Sequence, residues 1–565
     1  MSLEDPSPDR RELLHTLAAL GIGTATFQRA VATEVARAAD EPARVTAEML
    51  KNAEWVAGLT LTDAERKAVA SALTGTLRGY AEARKVELPN DVFPAVRFDP
   101  TPGEPPYTGP RGTVEAPKVE QAKPASDEDL AFLPLTKLAH LVRTKQVSSV
   151  ELTKLALDRL KKYDPVLLCV VSLTEKLALE QAKRADEEIA AGKYRGPLHG
   201  IPWGAKDLIS YPGYKTTWGA GPFKDQTLAT TATVAKRLED AGAVLVAKLT
   251  LGALAMGDKW FGGMTRNPWF VKEGSSGSSA GSSAAVAAGL VPFAIGSETL
   301  GSIVSPCTRC GVTGLRPTFG RVSRHGCMAL TWTMDKLGPI ARSVEDCALV
   351  FGAIHGTDGL DPTAVNRLFD WPAKKGPKGL KVGYFESKKS PDERKELKIL
   401  EEVGVELVPV KLPDGLPVDA LNVILHTEAA AAFDDLTRKG VTEGIGTWPT
   451  TFRKGQFITA VEYLRANRVR TLLMRQMAEL MTKVDLYVAP TGTDLLTTNL
   501  TGHPSVCVPN GFTKRDGAEV PQSIVFTGRL YDESELLAVA HAYQKATGHH
   551  LKRPPMDKLT GSNPG

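Results

Sequence analysis

Residues 273–306 read EGSSGSSAGSSAAVAAGLVPFAIGSETLGSIVSP, crowded with hydroxyls and containing no histidine, aspartate or cysteine. A serine hydroxyl is too weak an acid to attack an acyl carbon unaided, so a nucleophile here needs a base from elsewhere in the chain. The ten histidines are scattered, and none sits where such a base is expected. Upstream, PLHGIPWGAKDL (197–208) places Lys206 after a glycine-containing approach among apolar neighbours, although a lone Lys-Asp after glycine is most often a surface turn. Lysine serves as a base only when neutral, and burial favours the neutral form by desolvating the charge.

The elements that must hold these residues are legible from periodicity. Residues 40–88 are helical by pattern, with a start signal at Thr62-Asp63-Ala64-Glu65. A proline- and glycine-rich stretch, 89–127, has no periodicity and reads as an extended linker that straps across the surface of the larger domain after it. The helices 40–88 are too few to bury a core alone and are expected to pack on that domain. From 128 to 552 helices alternate with short apolar strands such as LLCVVSL (167–173), AVLVAKL (243–249), LKVGYF (380–385), VELVPVKL (405–412) and LYVAPT (486–491). That alternation predicts an α/β fold on one large mixed sheet covered by helices on both faces, ending in a loose tail over 553–565. The 565 residues, with 42% hydrophobic and 24% charged side chains, belong to a globular protein, and a net charge of +4 gives no basic field for nucleic acid. No stretch approaches the ~20 apolar residues of a membrane span. Cys307 and Cys310 lack a second CxxC or a nearby HxxxH, so the six cysteines are read as buried thiols and not as a zinc site.

Three separated motifs carry a resemblance. SGSSAGSSAAVAAGL, GSETLGSIVSP and CGVTGLRPTFGRVSRHG (310–326) stand in that order, with PLHGIPWGAKDL before them and KLGPIARSVEDCALV (336–350) and NLTGHPSVCVPNGF (499–512) after. Together, over about 130–552, they resemble the amidase signature family. The resemblance implies that family's fold and a Ser-Ser-Lys triad, with Ser302 as nucleophile, Ser278 as bridging serine and Lys206 as base. It also implies an oxyanion hole from the backbone N–H groups of Thr299, Leu300, Gly301 and Ser302, backed by Ser279. Two departures stand out: Leu300-Gly301 replaces a pair of glycines, and Val304 stands where the family has an arginine, with Glu298 in place of an aspartate. Arg309 is the expected substitute for the missing positive charge. A competing match, Gly277-Ser278-Ser279-Ala280-Gly281, fits the G-x-S-x-G nucleophile elbow and would make Ser279 the nucleophile. That elbow needs a strand directly before the serine, whereas NPWFVKEGSS offers charges and turn formers.

The function implied is hydrolysis of a small-molecule or peptide amide through an acyl-enzyme, with no metal or organic cofactor. Segments 251–270 and 426–465 are expected to shape the substrate pocket. Two alternatives remain: the A subunit of a tRNA-dependent amidotransferase, or an inactive binding protein of the same fold. Against the first, EAAAAFDDLTRKGVTEG (428–444) lacks the arginine pattern with which A subunits read glutamine. At the N-terminus, Arg10-Arg11, the mildly apolar run 13–27 and Ala36-Arg37-Ala38 read as a twin-arginine export signal over residues 1–38, with an amphipathic helix on a cytoplasmic protein as the alternative. N-terminal sequencing of protein from the extracytoplasmic fraction tests this. Cleavage near Ala38, blocked by changing Arg10 and Arg11 to lysine, is expected; an intact N-terminus in the cytosol overturns it.

Overall fold

The structure, a computed structural model, describes residues 45–559 apart from 58, 84–88, 91, 93–95 and 388–392. The export signal read over 1–38 lies outside the described residues. The chain divides into two compact units, 1–89 and 90–565.

In the first unit, helices span Ala47–Ala53 and Asp63–Ala83, joined through a 3-10 turn at Glu54–Ala57. The longer helix opens on a reciprocal cap: the Thr62 N–H donates to Glu65 Oε2 at 2.7 Å, and the Glu65 N–H to Thr62 Oγ1 at 3.4 Å. Arg66 ties the helix back to Glu54 at 2.9 Å. Among the described side chains of this unit Ala70 is buried, whereas Met49, Trp55, Val56 and Leu59 are exposed.

The described part of the second unit is built on fifteen strands. They are β1 Val170–Leu173, β2 Pro202–Lys206, β3 Val244–Leu249, β4 Lys259–Trp260, β5 Gly263–Met264, β6 Arg266–Asn267, β7 Phe270–Gly274 and β8 Phe293–Glu298. There follow β9 Thr313–Arg316, β10 Lys336–Ala341, β11 Lys381–Phe385, β12 Glu406–Val410, β13 Leu486–Pro490, β14 Ser505–Arg515 and β15 Ala518–Gly528. Eleven form one sheet in the order β1-β3-β2-β8-β10-β9-β14-β15-β13-β11-β12, while β4/β5 and β6/β7 are separate hairpins. The sheet is mixed: β2 runs parallel to β3 and β8, and β11 to β12 and β13, with antiparallel pairs elsewhere.

Successive strand residues feed opposite faces. In β8, Phe293 and Ile295 enter one core and Ala294 the other; in β14, Val506 and Val508 enter the first and Cys507 the second. Helices cover both faces. Leu138 and Leu141 of Leu135–Arg143 and Phe351 of Val344–Ile354 seal the first core; Leu157 and Leu160 of Ser149–Leu167 and Val286 of Ala280–Ala287 seal the second.

Two stretches outside the strand-and-helix alternation, the linker and the tail, make contacts within this unit. From Asn90 onward the proline-rich segment lies on it: Asn90 pairs with both backbone groups of Ala329, at 2.9 and 2.6 Å, and Val114 bridges to Trp371. Phe98 packs edge-on against Phe319 at 5.0 Å, and the Arg470 guanidinium sits 3.5 Å from its ring centre. The segment from 553 is no loose tail as far as Leu559. Met556 and Leu559 fall three apart in a 3-10 turn and bury in the second core, and Arg553 bonds Asp129 at 2.9 Å.

Candidate active site

Lys206 is the last residue of β2, an interior strand third from one edge of the sheet, and is fully buried. β8 lies directly beside β2 and delivers Ser297 to the same place, while the chain entering the helix Ala280–Ala287 supplies Ser278 and Ser279. The Lys206 Nζ therefore faces four oxygens: Ser278 Oγ at 2.7 Å, Ser297 Oγ at 2.9 Å, Ser279 Oγ at 3.1 Å and the Ser297 carbonyl at 3.4 Å. Burial pulls its pKa down from 10.5 to about 7, opposed by the more distant charges of Asp335 and Glu298. A lysine held this way is a base near neutral pH.

The proton inventory distinguishes the serines. The Ser279 hydroxyl donates to the Ser297 carbonyl at 3.1 Å and accepts from the Ser297 N–H at 3.1 Å and from Lys206. Its hydrogen is committed, and the residue is fully buried. Ser278, at the shortest distance from Nζ, is positioned to pass its proton to the lysine. A strand does precede Ser279, against expectation, since β7 covers Phe270–Gly274; it belongs to a two-stranded hairpin with β6 and not to the main sheet. Ser279 is thus a support for Lys206 and not an elbow nucleophile.

Ser302 sits in the turn after β8. Its carbonyl accepts the Ser279 N–H at 3.0 Å, which fastens the two serine motifs together; among the described residues no hydrogen bond joins its hydroxyl to Ser278. The N–H groups of Leu300, Gly301 and Ser302 meet no protein acceptor among the described residues. Gly301 takes φ +82°, and a Cβ there would press to 2.9 Å from Leu495, so the turn keeps its one remaining glycine. Thr299 anchors the turn's first residue by donating its hydroxyl to Asp335 at 2.5 Å, while Asp335 also accepts the N–H groups of Leu330 and Thr331 at 2.8 and 3.0 Å.

Glu298 stands behind the turn. It accepts the N–H groups of Ile303 and Val304 at 2.8 and 3.0 Å, Arg316 at 2.8 Å and Asn499 at 2.8 Å. Burial alone would push its pKa up, but the Arg316 guanidinium and these hydrogen bonds outweigh it and hold the carboxyl at about 2. The charge expected from Arg309 comes instead from Arg316, on β9. Arg309 is half-exposed on the helix Val304–Cys310 and pairs with Glu273 at 2.6 Å, because its position on that helix turns it outward. Val304 is buried in the second core, among apolar side chains.

Sequence reasoning missed Asp207, Lys248 and Asp335. Asp207 and Lys248 form a fully buried pair at 2.7 Å, with the Thr217 N–H on Asp207 at 2.8 Å and the Thr216 hydroxyl on Lys248 at 3.0 Å. The adjacency Lys206-Asp207 was the available signal, since a charged residue beside a buried lysine must itself find a partner. A cavity of about 40 Å³ opens beside Ser297 and Thr299, walled by Ala255, Met328 and Leu330. A larger one of about 990 Å³, between 100–107, 471–482 and 529–535, contains none of these residues; the lysine-serine cluster, not cavity size, locates the site.

Removing Arg316 leaves Glu298 charged and buried without its counter-ion, which typically costs about 3–5 kcal/mol. Arg316→Met is expected to show this in chemical denaturation, and Arg309→Ala under about 1 kcal/mol. Glu298 has a lowered folded pKa, so its contribution is present above the unfolded value of 4.5 and lost as pH falls towards about 2. The stability gap between wild type and Arg316→Met should therefore narrow as pH falls from 4.5 towards about 2. Equal losses in the two variants would refute the pairing.

The family description "Amidase" matches residues 151–498. The A subunit of the glutamyl-tRNA(Gln) amidotransferase of Carboxydothermus hydrogenoformans is 34% identical over 492 residues, covering 76% of this chain and 100% of its own. The solved peptide amidase from Stenotrophomonas maltophilia superposes with a TM-score of 0.66 at 29% identity, over 75% of this chain and 98% of that one. A bacterial aryl acylamidase of the amidase signature enzymes gives 0.66 at 25% identity, over 74% and 98%. The motifs, the mixed eleven-stranded sheet and these matches agree that the chain belongs to the amidase signature family.

Proposed function

We propose that this protein hydrolyses a carboxylic amide through an acyl-enzyme on Ser302. The observation that carries the reading is the buried Lys206 amine, brought near pKa 7 and hydrogen-bonded to Ser278. In this mechanism Ser302 Oγ attacks the amide carbon as its proton moves to Ser278 and the Ser278 proton moves to Lys206 Nζ. The tetrahedral oxyanion takes hydrogen bonds from the N–H groups of Leu300, Gly301 and Ser302. Each such donor is worth roughly 3–4 kcal/mol of barrier. The lysine then returns its proton through Ser278 to the leaving nitrogen, which cannot depart as an anion. Water, deprotonated along the same route, releases the acid and restores Ser302.

The names of the relatives favour a second reading, the glutamine-hydrolysing A subunit of an amidotransferase. The one arginine in 428–444, Arg438, weighs against it: it lies on the surface, bonded to Asp434 at 3.1 Å and Gln456 at 3.0 Å. Glutaminase activity stimulated by charged tRNA, or co-purification with a second subunit, would establish that reading. An inactive binding protein would leave Ser302 unlabelled by a serine-directed acylating probe.

Turnover of a panel of aryl, aliphatic and peptide amides tests the proposal. Ser302→Ala is expected to lose roughly 10⁴–10⁶-fold in kcat, and Lys206→Ala or Ser278→Ala about 10²–10⁴-fold. Because the active form carries neutral Lys206, kcat/KM should rise with pH through about 7 and then level. A flat profile across about pH 5–9, or full turnover by Ser302→Ala, defeats the mechanism.

A further inference from the structure

The helix Ala460–Met481 buries Ala466, Arg470, Leu473 and Met477 against the unit, and so turns its opposite face to solvent. That face is not polar. Val461 is 71% exposed, Leu464 59% and Leu472 45%, and Phe457, in the turn leading into the helix, is 72% exposed. At about 100° per residue, positions 461, 464, 465, 468 and 472 fall within one arc roughly a quarter to a third of the way round. The two positions among the apolar ones are Arg465 and Arg468, both exposed. On the preceding helix, Trp448–Gly455, the last-turn residues Arg453 and Lys454 are exposed beside Phe457. None of these four cations makes an ion pair among the described residues. Two acids stand close by: Glu462 is exposed in the first turn of this helix, and Asp434, paired with Arg438, accepts from the Gln456 side chain beside Phe457 at 2.9 Å.

We infer that this corner docks on an anionic lipid surface. Three features select that occupant. The apolar residues stand in a turn between two helices and along one exposed helix face, where they can sink between headgroups. The interleaved and flanking groups are cations without partners, and phosphate headgroups complement them. Arginines at 465 and 468 can lay their alkyl stems along the apolar strip while the guanidinium reaches the phosphate layer. Among the described residues no helix is long and apolar enough to cross a membrane, so the contact is one of surface insertion. Most of the corner lies within the segment 426–465, and Thr447, at the head of the helix Trp448–Gly455, donates its hydroxyl to Met256 Sδ at 3.0 Å. Met256 is itself 39% exposed and follows Ala255, which walls the small cavity beside Ser297 and Thr299.

Co-flotation of the full chain with vesicles tests this inference independently of any amide turnover. Vesicles of phosphatidylcholine with about one-third phosphatidylglycerol should carry the protein up the gradient, and pure phosphatidylcholine vesicles should carry much less. Phe457→Glu with Leu464→Glu, and separately Arg465→Glu with Arg468→Glu, should each weaken binding roughly tenfold or more while leaving the melting temperature unchanged. Added salt should weaken the wild type but not abolish it, since the apolar part persists. Absence of the wild type from the floated fraction overturns the inference. So does unchanged binding by both pairs of variants. Conversion of a dimer to a monomer by the same substitutions, with no vesicle binding, would assign the corner to a second copy of the chain and overturn it as well.

Discussion

An amine without a counter-charge is the constraint around which this fold is arranged. Lys206 sits at full burial, bonded to three serines' oxygens and to no carboxylate. Keeping a lysine there near neutral pH costs several kcal/mol relative to solvent, because each pKa unit of displacement is an energy difference between its two protonation states. Only a large, closely packed sheet can absorb such a cost. β2 is flanked on both sides by parallel partners, every one of its residues is buried, and its end points into a pocket of hydroxyls drawn from two other segments. The serine-rich stretch is dense in hydroxyls because the lysine needs polar partners that carry no charge.

The neighbouring acid obeys the opposite rule. Glu298 is as buried as Lys206, yet it stays ionised, since Arg316, Asn499 and two backbone N–H groups meet its oxygens. A buried carboxylate requires a cation, but the backbone does not dictate which element supplies it. Here β9 does so, from a strand two places along the sheet from β8, and the helix after Ser302 is released to carry Val304 into the core.

Much of this is legible in the sequence, for a physical reason. Strands buried on both faces and lacking glycine or proline, such as β3 and β13 up to its last residue, announce themselves as apolar runs. β2, β8 and β10 carry Pro202, Gly204, Gly296, Gly338 or Pro339 inside the strand and read as turns, although tertiary packing holds them extended. The β14/β15 hairpin escapes the pattern despite its Asp516-Gly517 turn, where both residues take positive φ, 48° and 78°. At the site, Lys206 lies within hydrogen-bonding distance of Ser278 and Ser279, more than seventy residues away along the chain. Arg309 shows where spacing fails: seven residues along the chain says nothing about which way a helical side chain points, whereas Arg316 is distant in sequence and adjacent across the sheet.

The sheet order has a bearing on when this chemistry can exist. Lys206 ends β2, Ser297 belongs to β8, and those strands meet only after the chain between them, including β3 and two hairpins, has been laid down. Parallel pairing over so long a loop is entropically slow and comes after local helices and hairpins have formed. Until β2 and β8 close on each other the lysine is hydrated, fully protonated and remote from its serines. In a chain emerging from the ribosome the amine is therefore an ordinary charged lysine, and it loses its hydration in the same event that joins β2 to β8.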